Sequence, residues 1–290
     1  MEKYIFFLLL IFNTISCSHK DVNPWEHVKT PLSGTSQAIG GHSSGCLEGA
    51  KTLYPSSKSY QVMRLSRGRF FAHQKMIDFL NLMATKAKEF GFERIMIGDL
   101  AQKRGGPISY DHRSHQTGLD ADIWYIAPDE AKLKNLDLLS RENLTAKKLV
   151  LAGDEKLDLK LWQPGHEQLL QWVSNQIQVE RVFVNPAIKS ALCLKRKKQD
   201  RKWLSKIRPW WGHDDHFHIR LKCPADNPYC QAQKAVPVGD GCYVTLDWWF
   251  SDEAKQLDLE QKQLAINAML YPPEIPVLPE RCLELLEKEI

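Results

Sequence analysis

The chain has 290 residues, 43% of them hydrophobic and 26% charged, and its 39 Lys and Arg against 35 Asp and Glu leave a formal net charge of +4. That much apolar material buries a substantial core, and no internal repeat, low-complexity linker or membrane-length apolar span divides it; the sequence reads as one enzyme-sized domain. Seven cysteines in a chain with an export-like N-terminus argue for an oxidising compartment, where nucleic acid is rarely a partner.

In chain order, residues 1–16 carry an apolar run over 4–12, too short for a bilayer span of roughly 20 residues and shaped as a signal peptide. Thr14-Ile15-Ser16-Cys17 resembles a lipoprotein processing site, with Cys17 as the lipidated mature N-terminus. Thr14 departs from the usual Leu, and ordinary signal cleavage nearby is the alternative. Ser18 is not the aspartate that commonly retains lipoproteins at the inner membrane. The expected location is therefore the periplasm, with the outer membrane as the destination of a lipidated form. Residues 17–40, polar with scattered Pro and Gly, read as a tether, and 41–290 as the folded domain.

Within that domain a helix is expected over 74–90, with Met76, Leu80, Met83 and Ala87 on one face and Gly91 as its stop, followed by a strand over 94–97. Next comes the first of two histidine-rich windows, His112-Arg113-Ser114-His115-Gln116-Thr117-Gly118-Leu119-Asp120-Ala121-Asp122. It runs into a strand over 120–126 that puts Asp120 and Asp122 on one face. A helix near 167–177 and a strand over 181–184 follow, and then the basic run Lys195-Arg196-Lys197-Lys198 with Arg201 and Lys202, which suits an anionic polymer or membrane surface but more often marks a solvated face. The second window is Trp210-Trp211-Gly212-His213-Asp214-Asp215-His216-Phe217-His218. Its last residues alternate with apolar neighbours at a strand period, so His216 and His218 project side by side while Phe217 and Ile219 enter the core. Residues 243–290 carry no legible role. Helices interspersed with a small, antiparallel central sheet and long disulfide-tied loops make the expected fold α+β in a single domain.

Five of the ten histidines fall in the two windows. Imidazole is the commonest ligand for zinc-like metals and carries protons near neutral pH, so two such knots beside carboxylates read as halves of one metal site. His115, one of the two aspartates and one of the two strand histidines give three protein ligands and leave a place for water, the catalytic pattern. No His-Glu-x-x-His helix supplies a base. His216 is the substitute, and His213 is placed to orient water or to stabilise a charged intermediate. Trp210 and Trp211 are candidates for the cleft wall. His112 belongs to a looser metal position or hydrogen-bonds in its loop, and Asp120 is a carboxylate that orients a ligand histidine or a solvated turn residue. Asp214 and Asp215 read as loop residues, Arg104 as a surface arginine, and His19, His27, His42, His73 and His166 as structural.

Several stretches resemble the penicillin-insensitive murein endopeptidases: Ser114 to Asp122, the Gly212-His213 to His218 run, Gln61-Val62-Met63-Arg64-Leu65-Ser66-Arg67, Ile97-Gly98-Asp99-Leu100 with Arg104-Gly105-Gly106, and Val182-Phe183-Val184-Asn185-Pro186-Ala187-Ile188. The resemblance covers roughly 41–242 and implies zinc metallopeptidases related to D-Ala-D-Ala dipeptidases. It implies His115, Asp122 and His218 as zinc ligands, with Asp122 favoured over Asp120 by its spacing from His115, and His216 as base. For the six cysteines left after Cys17, Cys223–Cys230 closes a small loop containing Pro224 and Pro228, while Cys193–Cys242 and Cys46–Cys282 follow from the resemblance and from nesting. The expected partners are peptidoglycan stem peptides, cut at D-alanyl–meso-diaminopimelyl cross-links; nucleic acid is not among them, and the oligomeric state is open. The alternatives are a related D,D- or L,D-carboxypeptidase and an inactive wall-binding lipoprotein.

Overall fold

The computed structural model describes residues 23–288 apart from 111, 152, 154 and 271–274. The expected signal peptide and Cys17 lie outside the described residues. The strands among these are β1 (Gln37–Gly41), β2 (Ser44–Glu48), β3 (Lys51–Thr52), β4 (Tyr60–Val62), β5 (Phe71–Ala72), β6 (Ile95–Ile97), β7 (Asp120–Trp124), β8 (Val179–Val184), β9 (Ile207–Pro209) and β10 (His216–Leu221). The helices are α1 (Gln74–Ala87), α2 (Asp129–Leu133), α3 (Leu138–Asn143), α4 (Pro164–Asn175), α5 (Pro186–Lys195), α6 (Val244–Asp247), α7 (Asp252–Leu270) and α8 (Glu280–Glu287). This is the α+β single domain expected.

A six-stranded sheet in the order β4-β6-β7-β10-β8-β9 forms its centre. The three inner pairings are antiparallel, as the sequence led us to expect, but both outer pairs, β4·β6 and β8·β9, are parallel. Each outer pair is joined by a crossover through a helix, α1 between β4 and β6 and α5 between β8 and β9, and parallel neighbours require such a crossover. Ala121, Ile123, Phe217 and Ile219 share one core with Met76, Leu80, Met83 and Ala87 of α1, Leu169, Leu170 and Val173 of α4, and Ile188 and Leu192 of α5. Helices therefore cover one face of β7 and β10. The other face is left to loops, and it carries the polar side chains.

Helix α1 ends at Ala87 and tightens into a single 3-10 turn to Phe90 before Gly91, whose φ of +91° stops it. At its other end His73 caps it, accepting from the Lys75 N–H at 3.1 Å, while its Nε2 meets Asn227 Oδ1 at 3.0 Å. His166 likewise starts α4: its Nδ1 accepts from the Gln163 N–H at 2.9 Å and its Nε2–H donates to the Tyr125 carbonyl at 2.9 Å. Both are structural, as expected.

The described part of 17–40 is not a tether. Trp25, 2% exposed, packs with Ile39, Cys46, Cys282 and Leu285 in a satellite cluster, and β1 pairs with β2 along its whole length. A polar composition concealed one large anchoring ring. All three favoured disulfides are formed: Cys46–Cys282 ties β2 to α8, Cys193–Cys242 ties α5 to the segment before α6, and Cys223–Cys230 closes the loop after β10. None of the helices among the described residues is long and apolar enough to cross a membrane.

Candidate metal centre

β7 and β10 lie side by side with His218 opposite Asp122 and His216 opposite Trp124. Because Phe217 and Ile219 enter the core, His216, His218 and Arg220 share the opposite face with Asp120 and Asp122. His115 arrives from the preceding loop, wholly buried and with φ of +68°, a conformation a non-glycine residue keeps only where its surroundings hold it. Backbone bonds hold the loop around it: the Gln116 N–H donates to the His42 carbonyl at 3.3 Å, the Gly106 N–H to the Gln116 carbonyl at 3.0 Å, and the His73 N–H to the Gly118 carbonyl at 3.0 Å. Gly118 turns the chain into β7 with φ of +72°; a Cβ there would sit 2.5 Å from Leu47 Cδ2 and 2.7 Å from the His73 nitrogen, so only glycine fits.

Three imidazole nitrogens converge on one carboxylate oxygen. Asp122 Oδ1 lies 3.1 Å from His218 Nδ1, 3.5 Å from His115 Nε2 and 3.8 Å from His216 Nε2. That oxygen is nevertheless buried without a hydrogen bond, as are both ring nitrogens of His115. Buried polar atoms nearly always find partners, so unpartnered donor atoms gathered at one point fit a cation. His112, His115 and Asp122 also place ligand atoms within 4.8 Å of one another. Imidazoles with a single carboxylate are the donor set of a zinc-like ion. Burial alone would raise the Asp122 carboxyl, but His115, His112 and His216 around it hold it well below the ordinary carboxylate range.

Asp120, 0% exposed, fastens the pieces together. Its Oδ1 accepts from His218 Nε2 at 2.7 Å and from Arg220 Nε at 2.6 Å, while Oδ2 accepts from His42 Nδ1 at 3.0 Å and from the His115 N–H at 3.3 Å. One carboxylate thus binds the loop, β10 and the β1–β2 turn. It also occupies Nε2 of His218, so Nδ1 is the nitrogen turned to Asp122. Of its two expected roles, Asp120 takes the orienting one.

His216 reaches the rim of the cluster. Its Nδ1 meets Asp215 Oδ1 at 2.5 Å. Burial opposes its charged form, but Asp122, and then the bond and charge of Asp215, outweigh that and push the ring up to about 9. His213 behaves oppositely: burial, with His216 and His218 nearby, holds it well below the ordinary histidine range, so it is neutral at neutral pH. Its Nδ1 lies 2.8 Å from the Trp211 carbonyl, which can only accept, so Nδ1 carries the proton and Nε2 the lone pair. Such a ring accepts a hydrogen bond and has no further proton to donate. Of the two roles the sequence left His213, orienting water or stabilising a negative charge, this tautomer suits the first.

His112 stands beside the cluster with Nε2 3.0 Å from Asp99 Oδ2 and 3.5 Å from Asp122 Oδ2. Asp99 also holds Arg67 Nη1 at 2.8 Å and Arg69 Nη1 at 3.0 Å, and backbone bonds between Gly98, Asp99 and Asp122 keep it next to β7. The structure therefore brings together all six candidate residues, His112, His115, Asp122, His213, His216 and His218. Sequence reasoning missed the residues that support them: Asp99, Asp215, Arg220 and above all His42, read as merely structural. Asp99 and Arg67 fall inside stretches that carried the family resemblance, which was their one available signal. Arg104 is no surface residue. It is buried and donates to the Thr30 and Leu285 carbonyls, holding the C-terminal helix down.

The donor set gathered on this sheet face is one that could hold a metal ion. Residues 38–287 match the family described as penicillin-insensitive murein endopeptidase. A penicillin-insensitive murein endopeptidase of Yersinia enterocolitica is 40% identical over 264 residues, 91% of this chain and 90% of its own. Those of Haemophilus influenzae and Citrobacter koseri are 39% and 36% identical, over 86% and 98% of this chain and 87% and 98% of theirs. The chain belongs to the penicillin-insensitive murein endopeptidase family, and it is a peptidase.

Proposed function

We propose that the protein is a zinc-dependent murein endopeptidase that hydrolyses D-alanyl–meso-diaminopimelyl cross-links between peptidoglycan stem peptides in the periplasm. The observation that carries this reading is the convergence of His115, His216 and His218 on the unpartnered Asp122 Oδ1. His115, Asp122 and His218 hold the ion. When bound, zinc supplies Lewis acidity toward the substrate carbonyl and toward water.

The protein's own groups then handle protons. The neutral His213 offers an acceptor at Nε2 to orient water. His216 is the proton carrier: its Nε2 stands toward the cluster, 3.8 Å from Asp122 Oδ1, where it would take a proton from water and pass one to a leaving amine. Asp215 fixes its orientation through Nδ1 and leaves Nε2 for the reacting groups. His112 holds its Nε2 against Asp99 and takes the looser position beside His115 and Asp122. The three disulfides suit the oxidising compartment in which murein lies.

Zinc titration of variants tests the ligand set. His115→Ala and His218→Ala are each expected to lose stoichiometric zinc and activity together, because two remaining ligands hold the ion poorly, whereas His112→Ala keeps the metal. A His115 or His218 variant that still binds one tight zinc would remove that residue from the set.

A further inference from the structure

Four tryptophans from two distant stretches meet beside the histidines. Trp210 and Trp211 follow β9 and lead directly into Gly212 and His213; Trp248 and Trp249 lie in the 3-10 turn Trp248–Phe250, just after the Cys193–Cys242 bridge. Ring centroids are 5.5 Å apart for Trp210 and Trp211, 4.9 Å for Trp211 and Trp249, 6.0 Å for Trp210 and Trp249, and 5.3 Å for Trp248 and Trp249. Phe183 joins this row to the metal centre, 6.2 Å from Trp210 and 5.3 Å from His218. The aromatic surface is continuous from the site outward.

Its exposure is what folding alone leaves unexplained. Trp210 is 48% and Trp248 37% exposed, although two more rings lie close enough to enclose them. Large apolar groups left open in one contiguous patch mark a binding surface. We infer that the tryptophan row is a glycan subsite, stacking the pyranose rings of the polymer whose peptide is cut at the histidine cluster; the inference rests on the murein reading above. A pyranose has an apolar C–H face and a rim of hydroxyls, and it needs a flat aromatic face with polar groups at its edge. The row supplies both: half-open indole faces crossing at 56° to 83°, and at the outer edge the Glu253 carboxylate, 3.2 Å from Trp248 Nε1. An apolar peptide side chain would instead ask for a concave pocket. A polymer substrate has sugar on either side of the cross-link, so a stacking surface continuous with the site holds what the metal centre does not touch.

The test uses the whole protein in two measurements. A peptide-free tetrasaccharide of alternating N-acetylglucosamine and N-acetylmuramic acid is titrated against tryptophan fluorescence. KM and kcat are then compared for a cross-linked muropeptide dimer with its sugars and for the same dimer stripped of them by an amidase. A saturable change in emission is expected, with a lower KM for the sugar-bearing dimer at similar kcat. Trp248→Ala is expected to weaken saccharide binding about tenfold, the scale of one lost contact of about 1.4 kcal/mol, and to erase the KM advantage, while Trp248→Tyr, which keeps a flat ring, retains most of it. Absence of a saccharide-dependent signal, equal KM for the two dimers, or an equal loss by Trp248→Ala on both would overturn the inference, the last placing the row against peptide. Cleavage of neither dimer would refute the murein reading instead, and the saccharide titration would still decide the subsite.

Discussion

Asp215 governs what His216 can do. Without the carboxylate 2.5 Å from Nδ1, the imidazole loses both its orientation and part of the support for its charged form. His216→Ala is expected to keep zinc bound and to cut turnover by about 100- to 10,000-fold, the usual range for a lost general acid or base. Asp215→Ala should fall between that variant and wild type with the metal retained. Metal analysis beside kcat checks both; zinc lost from His216→Ala would make that ring a ligand and reverse the roles of the two strand histidines. Sequence alone paired His216 with His218 because alternation along a strand is a local rule. It could not pair Asp215 with His216 functionally, since neighbours in a strand point to opposite faces and the bond depends on the chain bending just before β10. His42 was invisible for a related reason: its partner Asp120 is 78 residues away.

At the scale of elements, His166 couples α4 to β7 and makes the fold sensitive to acid. Its ring is buried and neutral, with Nε2–H on the Tyr125 carbonyl, and burial lowers it to about 4 from 6.5. The unfolded chain therefore takes up a proton before the folded one, so stability is full above the unfolded value and declines as pH falls from about 6.5 toward 4, by up to about 3 kcal/mol. Thermal melting across that window checks the sign. Wild type should lose stability faster than His166→Gln, and parallel curves would exclude His166 as the source. Helix α1 and the two histidine strands were legible because their apolar residues repeat at 3.6 or 2 positions, and the 94–97 strand because Ile95, Met96 and Ile97 form a short apolar run between Arg94 and Gly98. The parallel outer strands were not legible. Pairing direction is set by crossovers that composition does not encode, and β9 has only three residues. Part of the basic run proved structural too, with Arg196 on Glu167 at 2.6 Å and Arg201 on the Tyr243 hydroxyl at 2.7 Å.

At the scale of the whole molecule, the first and last described segments are each pinned to the sheet-bearing body at more than one point. Cys46–Cys282 and Arg104 hold α8 against β2, while Trp25 and β1 secure the N-terminal side. We propose that Cys17 ahead of that body is acylated and tethers the enzyme to the outer membrane. Several acyl chains anchor firmly where one binds only marginally. Cys17→Ser should leave a precursor or a soluble periplasmic protein with unchanged peptidase activity, read by membrane fractionation and the mass of the mature N-terminus. A soluble wild-type protein beginning after Cys17 without acyl mass would remove the anchor and leave the peptidase untouched.

The central claim, metal-dependent cutting of murein cross-links at the His115–Asp122–His218 centre, meets its most direct test in purified sacculi. These are digested with chelator-treated protein before and after one equivalent of zinc is restored, and the muropeptides are identified by mass spectrometry. The account predicts that D-alanyl–meso-diaminopimelyl dimers give way to monomers only in the zinc-restored sample. Dimers that persist with zinc, or that disappear equally without it, would contradict it.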